Sequence, residues 1–295
     1  MKLSVLIDQY LKSLISRNVS PLTYRDYSHY LAKFLEFCSD INVSRLNEQT
    51  ILKYKHFLAS YVDEGTGLSL KRVTQNYFLI ALRSLIEYAR EAQLTVLTKS
   101  IVPLAKLSPE SQPPLDKKQI ENVLNTPDVH TKQGLRDRAI LETLFSSGLL
   151  VSELSYLNRD QIDLVGKQIK AEGRTGKTRT IFIFDRCAYW LEKYLASRED
   201  TFRPVFIRYQ GMADEFEFGE RMRLTPRSIE RVVEKYAKAT GIRGKVTPQS
   251  FRHFLGITLV AQGVSPQGVA EIMGYESSFS TRQYGKTLES AKEKS

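Results

Sequence analysis

The stretch from Thr247 to Tyr284 constrains the fold most, because it places a charged residue inside an apolar helix. Thr247 and Pro248 predict a helix start, since a proline in the first turn lacks only an N–H that the helix would leave unpaired. Arg252 follows within a run whose spacing is typical of a largely buried helix. A guanidinium is rarely buried without an anionic partner, so the sequence predicts such a partner. The apolar members of this run are Phe251, Phe254, Leu255, Ile257 and Leu259.

The residues after this helix predict a second helix and then a polar segment. Ser265 and Pro266 indicate a helix start, and Gly274 indicates its end. Tyr275 follows the glycine directly, and Tyr284 lies at the end of the polar segment. Because the chain contains 15 tyrosines, the interest of Tyr284 depends only on its position after the two predicted helices.

The first part of the chain, from residue 1 to about residue 100, predicts helices only. Apolar residues recur at spacings of three and four in four segments, which indicates four helices with one apolar stripe each. The fourth segment, from Leu68 to Ala92, differs in its basic and amide residues. On its own, this half of the chain also fits a generic helical bundle. The polar residues of the fourth segment are Lys71, Arg72, Gln75, Asn76 and Arg83.

A proline-rich segment, residues 101–115, divides the chain. Its four prolines remove backbone donors and restrict the residues that precede them. The segment therefore predicts a linker between two domains, residues 1–100 and residues 116–295. A chain of 295 residues is long enough for two domains with a sizeable core.

The C-terminal part predicts further helices and one β-hairpin. Residues 167–184 have β-branched and aromatic residues on both sides of a glycine-containing turn, which suits two antiparallel strands. The turn contains Arg174 and Lys177, and a short strand is expected at Pro204–Ile207. The predicted fold is therefore mainly α with a small antiparallel β-sheet, as a helical domain followed by an α+β domain. The basic residues of the helix that opens at Thr225, and just beyond it, include Arg227, Arg231 and Arg243.

Charge, hydropathy and cysteine content narrow the possible classes. Lys and Arg outnumber Asp and Glu by 43 to 33, a surplus that favours binding to polyanions through counterion release. A basic surface that contacts only solvent is the alternative. No apolar run reaches the roughly 20 residues of a membrane helix, and the N-terminus lacks a signal-peptide pattern. Cys38 and Cys187 have no metal-ligand or disulfide spacing, so we expect no metal and a cytoplasmic protein.

Two regions of the chain resemble the tyrosine recombinases, the family of phage integrases and Xer-type resolvases. The C-terminal pattern of that family is His-x-x-Arg, then a helix that ends in Gly-His, then a nucleophilic Tyr. This chain has Gln249-x-x-Arg252, then Gly274-Tyr275, then Tyr284. The arginine and the nucleophile match, whereas a glutamine and a tyrosine replace the two histidines.

The second region, residues 135–164, is similar to the family pattern Arg-Asp-x-Ala followed by Thr-Gly-Leu-Arg-x-Ser-Glu-Leu. The first catalytic arginine of the family falls on Leu150. The family also has a lysine at the tip of the hairpin, where this chain has Arg174, with Lys177 three residues later. In layout, the resemblance covers the whole chain, including the four N-terminal helices. The matching positions are Asp137, Ala139, Gly148, Leu149, Ser152, Glu153, Leu154 and Asp163.

This resemblance implies a covalent 3′-phosphotyrosine intermediate, formed without a metal or nucleotide cofactor. Tyr284 is the candidate nucleophile. Arg252 is the candidate phosphate clamp, because a guanidinium can bind two phosphate oxygens in parallel. An internal salt bridge between Arg252 and a carboxylate such as Glu153 is the alternative.

The substituted positions have weaker candidate roles than the family residues. Leu150 removes one of two guanidiniums that grip the scissile phosphate in the family. Arg174 keeps a positive charge but cannot act as a general acid, because an arginine does not give up its proton. Gln249 and Tyr275 can hydrogen-bond but replace proton-transferring histidines. Lys177 could act as the acid if the hairpin bends toward the site.

Three functions remain open from the sequence, and we favour the first. In the first, the chain binds duplex DNA in site-specific recombination or integration, with strand cleavage through Tyr284 impaired or absent. In the second, it is an active recombinase in which another residue replaces the arginine missing at Leu150, and the candidates are Arg179, Arg174 and Lys177. In the third, it is a helical scaffold that binds no nucleic acid.

For the first two functions we expect the two domains to close around duplex DNA, with self-association into a dimer or tetramer as the family implies. Gln75 and Asn76 are candidate base readers, because amides can pair with the adenine edge. Arg179 is a candidate DNA contact next to the hairpin tip. The expected phosphate contacts, which set position without reading sequence, are Lys71, Arg72, Arg83, Arg227, Arg231 and Arg243.

Overall fold

The structure, a computed structural model, describes residues 1–63, 65, 67–94, 97–106, 114–173, 176, 178–212 and 217–275. The chain divides into two compact units, residues 1–110 and residues 111–295. The division lies inside the proline-rich segment, and each unit has its own apolar core. The finer boundaries predicted at residues 100 and 116 stay predictions.

Among its described residues, the first unit contains four α-helices, as the apolar stripes predict. Side-chain oxygens cap two of these helices: Ser20 Oγ accepts a hydrogen bond from the Thr23 N–H at 3.1 Å, and Asn47 Oδ1 accepts one from the Thr50 N–H at 3.0 Å. The stripes meet in one core that includes Tyr10, Phe34 and other fully buried side chains. The helices are α1 (Leu3–Ser16), α2 (Pro21–Cys38), α3 (Glu48–Ser60) and α4 (Arg72–Glu91).

The first residues of the predicted linker belong to this unit. Val102 is fully buried in its core. The Asn76 side chain on α4 donates to the Ala105 carbonyl and accepts from the Ala105 N–H, both at 2.9 Å. Arg83 Nε donates to the Val102 carbonyl at 2.8 Å. The segment up to Ala105 is therefore packed on α4, although the prolines predicted a linker from residue 101 onward.

The second unit contains seven helices among its described residues and a small sheet. The three strands are antiparallel in the order β1-β2-β3, with Ile169 opposite Ile181 in the β2–β3 hairpin. The predicted fold class, mainly α with a small antiparallel sheet, is confirmed. The strands are β1 (Ile162–Asp163), β2 (Gln168–Glu172) and β3 (Thr178–Phe182). The helices are α5 (Lys117–Asn125), α6 (Lys132–Ser147), α7 (Val151–Tyr156), α8 (Asp185–Ala196), α9 (Pro226–Ala239), α10 (Pro248–Ala261) and α11 (Pro266–Met273).

One predicted strand, Pro204–Ile207, is wrong. The segment makes only two isolated bridges, between Pro204 and Asn158 and between Ile207 and Arg223. Its side chains are buried all the same, because Val205 and Phe206 pack into the core of the second unit. The apolar character that suggested a strand therefore reflects burial of a loop rather than pairing in a sheet.

Helix α6 lies at the centre of the second unit, with most of its side chains buried, and α8 and α10 pack against it. It ends at Gly148, which has φ of +59° in the left-handed region that suits glycine. A β-carbon there would lie 2.9 Å from Leu255 Cδ2 on α10. The chain therefore turns sharply between α6 and α7 while staying in close contact with α10. None of the helices described by the structure is both long and apolar enough to cross a membrane.

Candidate active site

Arg252 on α10 is the central residue of the candidate site and is only 1% exposed. Its guanidinium donates hydrogen bonds to the carbonyl oxygens of Gly148 and Met273. Its Nε donates to Tyr275 Oη at 3.2 Å, and its Cζ lies 4.5 Å from the centroid of the Tyr275 ring. Within the described part of the chain, these partners are carbonyls and a phenol rather than a carboxylate. Among the described residues, the groups that accept hydrogen bonds from this buried positive charge are therefore all neutral.

Two helix ends supply the carbonyls that hold Arg252. Gly148 is the C-cap of α6 and Gly274 is the C-cap of α11, and both adopt left-handed backbone conformations, with φ of +59° and +66°. The last carbonyls of a helix lack intrahelical partners and carry the negative end of the helix dipole. Gly148 and Met273 present such carbonyls, so a cation between the two helix ends is stabilised by geometry that the two glycines permit.

Glu153 forms a separate ion pair next to this site. Arg179 on β3 donates from Nη1 to Glu153 Oε1 at 2.7 Å and from Nη2 to Oε2 at 2.9 Å. Glu153 Oε2 also accepts the Leu150 N–H at 2.8 Å, which caps the N-terminus of α7. The alternative pairing of Arg252 with Glu153 is wrong, because Arg179 occupies that carboxylate.

Arg179 also touches the turn that holds Arg252. A β-carbon placed on Gly274 would lie 2.6 Å from Arg179 Cζ, so the guanidinium lies directly against the glycine backbone. The Arg179 side chain is 18% exposed, and its Nε is buried without a hydrogen-bond partner. Four segments that are distant in sequence therefore meet here: the α6–α7 turn, β3, α10 and the end of α11.

Gln249 and His253 lie one helical turn apart on α10. Both residues are exposed, and Gln249 Nε2 is 3.5 Å from His253 Nε2. Desolvation of the imidazole and the neighbouring Arg252 charge lower the pKa of His253 below its ordinary value of 6.5. Sequence reasoning missed His253 as a neighbour of Gln249, although their spacing of four residues on one helix indicates the contact.

Tyr275 is half-buried, and its hydroxyl accepts the Arg252 Nε–H. Its aromatic ring and its hydroxyl both contact the Arg252 guanidinium, and its catalytic role stays a prediction. Tyr284, Arg174 and Lys177 lie outside the described residues, and their roles stay predictions. Among the described residues no three His, Cys, Asp or Glu side chains form a group that could hold a metal ion.

The polar residues of α4 fall into two groups. Lys71 and Arg72 are exposed at the start of the helix. Asn76, however, is only 6% exposed, and both functions of its amide are bound to Ala105. Gln75 donates to the Leu70 carbonyl at 2.8 Å, and Arg83 is half-buried with its Nε on the Val102 carbonyl. The structure thus uses both functions of the Asn76 amide inside the unit, and the role of Asn76 as a base reader stays a prediction.

The basic residues of the second unit are more accessible. Arg231 on α9 and Arg243 after it are exposed and form no ion pair among the residues that the structure describes. Arg227 is also exposed, but its Nη1 donates to Glu230 Oε2 at 2.9 Å one turn along α9. An exposed pair at this spacing is weak, so Arg227 can exchange its partner at low cost.

Comparison with known proteins identifies the family. The model of the phage integrase family matches residues 114–290, and that of the phage integrase N-terminal SAM-like domain matches residues 7–93. The chain belongs to the phage integrase family. The tyrosine recombinase XerC of Myxococcus xanthus is 30% identical over 216 residues, which cover 70% of this chain and 69% of that protein. The XerC of Chlamydia caviae is 31% identical over 184 residues, which cover 61% of this chain but only 56% of that protein.

Solved structures of integrases share the fold. A lambda integrase dimer bound to a COC′ core site has a TM-score of 0.70 at 17% identity and covers 96% of this chain and 77% of its own. The Tn1549 transposon integrase in complex with transposon right end DNA also has a TM-score of 0.70, at 16% identity, with 100% and 99% covered. At such identities the similarity establishes the architecture alone.

Family membership makes the position of Leu150 informative. In this integrase-family chain, Leu150 lies directly before α7, two residues after the Gly148 carbonyl that holds Arg252. Its backbone N–H is bound by Glu153, and its side chain is aliphatic and half-buried. The backbone of the turn is therefore in place beside Arg252, but this position offers no second guanidinium.

Proposed function

We propose that this chain is a duplex-DNA-binding member of the phage integrase family that acts in site-specific recombination or integration, with strand cleavage through Tyr284 impaired or absent. The observation that carries the proposal is Leu150 beside the buried Arg252. Transfer of a DNA phosphate to a tyrosine needs cations around the phosphate as well as the nucleophile. Loss of one such arginine typically lowers the rate of phosphoryl transfer by about 10³–10⁵.

The geometry of Arg179 supports the same proposal. Arg179 is the described arginine that the sequence offers as a replacement for the one missing at Leu150. Both of its terminal nitrogens are bound to Glu153, at 2.7 and 2.9 Å, so its charge is already neutralised by a carboxylate. Freeing it would leave Glu153 as an uncompensated, largely buried carboxylate, which is unfavourable.

Proton transfer is weakened as well. Gln249 is exposed at the start of α10, where an amide can hydrogen-bond a phosphate oxygen but cannot deliver or accept a proton. Tyr275 is bound to Arg252 through its hydroxyl. A general acid or base contributes about 10²–10⁴ to a rate, so these changes add to the effect of Leu150.

DNA binding is supported independently of cleavage. Lys71 and Arg72 in the first unit, and Arg231 and Arg243 in the second, are exposed and without ion-pair partners among the described residues. Such side chains release counterions when they neutralise phosphates. The similar lambda and Tn1549 integrases were solved as complexes with DNA, the lambda protein as a dimer and as a tetramer. We therefore propose duplex DNA as the partner and self-association on that DNA.

An active recombinase is the second candidate, since Arg252 and Tyr284 are retained. The two are separated with a suicide substrate, a nicked duplex that traps a covalent protein–DNA adduct. Its binding site is first selected with the protein from a library of random-sequence duplexes. Wild-type chain, Tyr284→Phe and Leu150→Arg are then compared on the same duplex.

We expect the wild-type chain to bind the selected duplex and to form little or no adduct. Leu150→Arg should increase adduct formation, because it returns a guanidinium to the turn next to Arg252, and Tyr284→Phe in that background should abolish it. An adduct that forms readily with wild-type protein and requires Tyr284 would instead establish an active recombinase. Failure to select any duplex would support the scaffold function.

A further inference from the structure

Arg179 connects two parts of the candidate site that are far apart in the sequence. On one side its Nη1 and Nη2 bind the two oxygens of Glu153, at 2.7 and 2.9 Å. Glu153 in turn fixes the α6–α7 turn by accepting the Leu150 N–H at 2.8 Å. On the other side the Arg179 guanidinium lies against Gly274, which ends α11. The Arg179 guanidinium therefore lies between the α6–α7 turn and the turn at Gly274, and both turns contribute to the Arg252 site.

The turn at Gly274 determines where Arg252 is held. Met273, directly before the glycine, provides a carbonyl to Arg252, and Tyr275, directly after it, provides a hydroxyl and an aromatic face. Because a β-carbon on Gly274 would lie 2.6 Å from Arg179 Cζ, no space separates the guanidinium from this turn. A displacement of Arg179 therefore releases one side of the turn on which three contacts of Arg252 depend.

We propose that Arg179 is a positioning residue: held by Glu153, it fixes the Gly274–Tyr275 turn that holds Arg252, and it is not itself a phosphate ligand. The second half of this statement rests on the proposed function, in which Arg252 meets a DNA phosphate. The carboxylate partner separates Arg179 from a ligand: both of its terminal nitrogens are bound to Glu153, at 2.7 and 2.9 Å, whereas Arg252 is held by carbonyls and a phenol. An arginine that clamps a phosphate presents two parallel N–H donors to its oxygens, and Glu153 already binds the two donors that Arg179 could present.

The first test uses the DNA-free protein and amide hydrogen exchange. The Gly274 N–H is bound to the Glu271 carbonyl at 3.1 Å and the Tyr275 N–H to the Ala270 carbonyl at 2.8 Å, so both amides report on the turn. Arg179→Met keeps the length of the side chain but removes its charge and donors. Glu153→Gln keeps an oxygen for the Leu150 N–H but weakens the pair.

We expect exchange at both amides to accelerate by about tenfold or more in each variant, because local opening becomes easier. Lys170→Ala, which removes an exposed charge from the neighbouring strand β2, should leave the exchange rates unchanged. Unchanged exchange at Gly274 and Tyr275 in the Glu153→Gln variant would overturn the positioning role. That variant alone decides the matter if Arg179→Met does not fold.

The second test asks whether Arg179 contacts phosphate, using the salt dependence of binding to the selected duplex. Each phosphate contact contributes about 0.9 to the slope of log K against log salt. If Arg179 acts only through Arg252, then Arg179→Met should add no loss of affinity and no change of slope in an Arg252→Met background, because the phosphate contact through which it acts is already gone. Additive losses, with two separate changes of about 0.9 in the slope, would overturn the proposal.

Glu153→Gln sharpens the second test. A positioning Arg179 predicts that this variant weakens DNA binding in the same way as Arg179→Met. A ligand Arg179 predicts the opposite, tighter binding, because its guanidinium is freed. If the wild-type chain binds no duplex, the proposed function fails, whereas the exchange of the two amides still decides the positioning role.

Discussion

Arg252 shows how a buried charge can be stabilised by backbone carbonyls and an aromatic ring, without a carboxylate among the described residues. The carbonyls of Gly148 and Met273 lie at the ends of two helices, where partial negative charge accumulates, and the Tyr275 ring adds a cation–π contact at 4.5 Å. In this arrangement no carboxylate among the hydrogen-bond partners neutralises the guanidinium. An anion that reaches the site is therefore attracted by its full positive charge. The same contacts mean that Arg252→Ala leaves two carbonyls unpaired. Loss of function in that variant would therefore combine lost stability with lost chemistry.

Gly274→Ala is predicted to destabilise the second unit more than an equivalent change elsewhere. Both Gly274 and Gly241 have positive φ, +66° and +71°, so alanine costs about 1 kcal/mol at either position. Only at Gly274 does a β-carbon also meet Arg179, at 2.6 Å, whereas nothing lies within 4 Å at Gly241. Overpacking of this kind costs about 1–3 kcal/mol in addition.

Urea unfolding followed by the fluorescence of Trp190 measures this difference, because the only tryptophan of the chain lies on α8 in the second unit. Gly241→Ala is the matched control, because it measures the cost of placing alanine at a positive φ without a steric clash. In an Arg179→Ala background, Gly274→Ala should cost no more than Gly241→Ala does, since the clashing group is absent from both proteins that are compared. Equal destabilisation by the two single glycine variants would show that Arg179 moves away freely.

His253 is predicted to make the second unit less stable in mild acid. Its pKa in the folded chain is below the ordinary value of 6.5, so the unfolded chain binds a proton at a higher pH than the folded chain does. The free energy of unfolding therefore falls as the pH decreases from 6.5 toward the folded-state pKa. His253→Gln should flatten this part of the stability curve, again measured through Trp190. A curve with the same slope in both proteins would contradict the shifted pKa.

The residues of the site were predictable where a role follows from residue type and spacing. Arg252, Gly274 and Tyr275 were identified from the sequence, because a charge in an apolar helix and a glycine at a helix end are local signals. The pairing of Arg179 with Glu153 was not predicted. It joins a strand to the start of a helix, and no regular spacing in the sequence indicates such a contact. Only the folded sheet brings that guanidinium to the carboxylate.

At the scale of elements, α4 illustrates how a polar stripe can serve two purposes. Its exposed N-terminal residues, Lys71 and Arg72, face solvent, whereas Asn76 and Arg83 further along bind the backbone of the segment that follows the helix. The amide of Asn76 satisfies both the N–H and the carbonyl of Ala105, as a neighbouring strand would. The first residues after the helical bundle are thereby attached to the helix that also presents the basic residues.

Asn76→Ala is predicted to release this segment. The change leaves two backbone groups of Ala105 without partners in a half-buried position, at about 1–3 kcal/mol for an unsatisfied group. We expect faster hydrogen exchange at the Ala105 amide and earlier proteolysis next to it. Asn76→Asp is the control that keeps the acceptor for the Ala105 N–H, so exchange at that amide should be intermediate. Wild-type exchange in Asn76→Ala would show that burial of Val102 alone holds the segment.

Helix existence was predictable from the sequence along both units, whereas pairing and docking were not. The capping residues Ser20, Asn47 and Ser265 bind backbone N–H groups at the starts of α2, α3 and α11. Pro204–Ile207 was misassigned because a buried loop and a strand have the same apolar composition. The docking of residues up to Ala105 was missed for a related reason: prolines exclude regular structure, but they do not exclude packing.

At the scale of the whole molecule, the two units have separate cores and each exposes basic side chains. The chain has a formal net charge of +10, and part of the basic excess is neutralised in ion pairs such as those of Arg138 and Arg198 with buried or half-buried carboxylates. The side chains left without such partners among the described residues include Lys71 and Arg72 at the start of α4 in one unit, and Arg231 and Arg243 on or after α9 in the other. The proposed DNA interface therefore draws on both units.

This distribution predicts additive salt dependence between the units. Arg72→Ala and Arg231→Ala each remove one exposed arginine, so each should weaken binding to the selected duplex and reduce the slope of log K against log salt by about 0.9. If both units contact the same duplex, the double variant should lose about 1.8. Lys12→Ala is the control: Lys12 is exposed on α1 but paired with Asp8 at 2.7 Å, and its loss should leave the slope unchanged. A slope that responds to Arg231→Ala but not to Arg72→Ala would remove α4 from the interface and restrict DNA binding to the second unit.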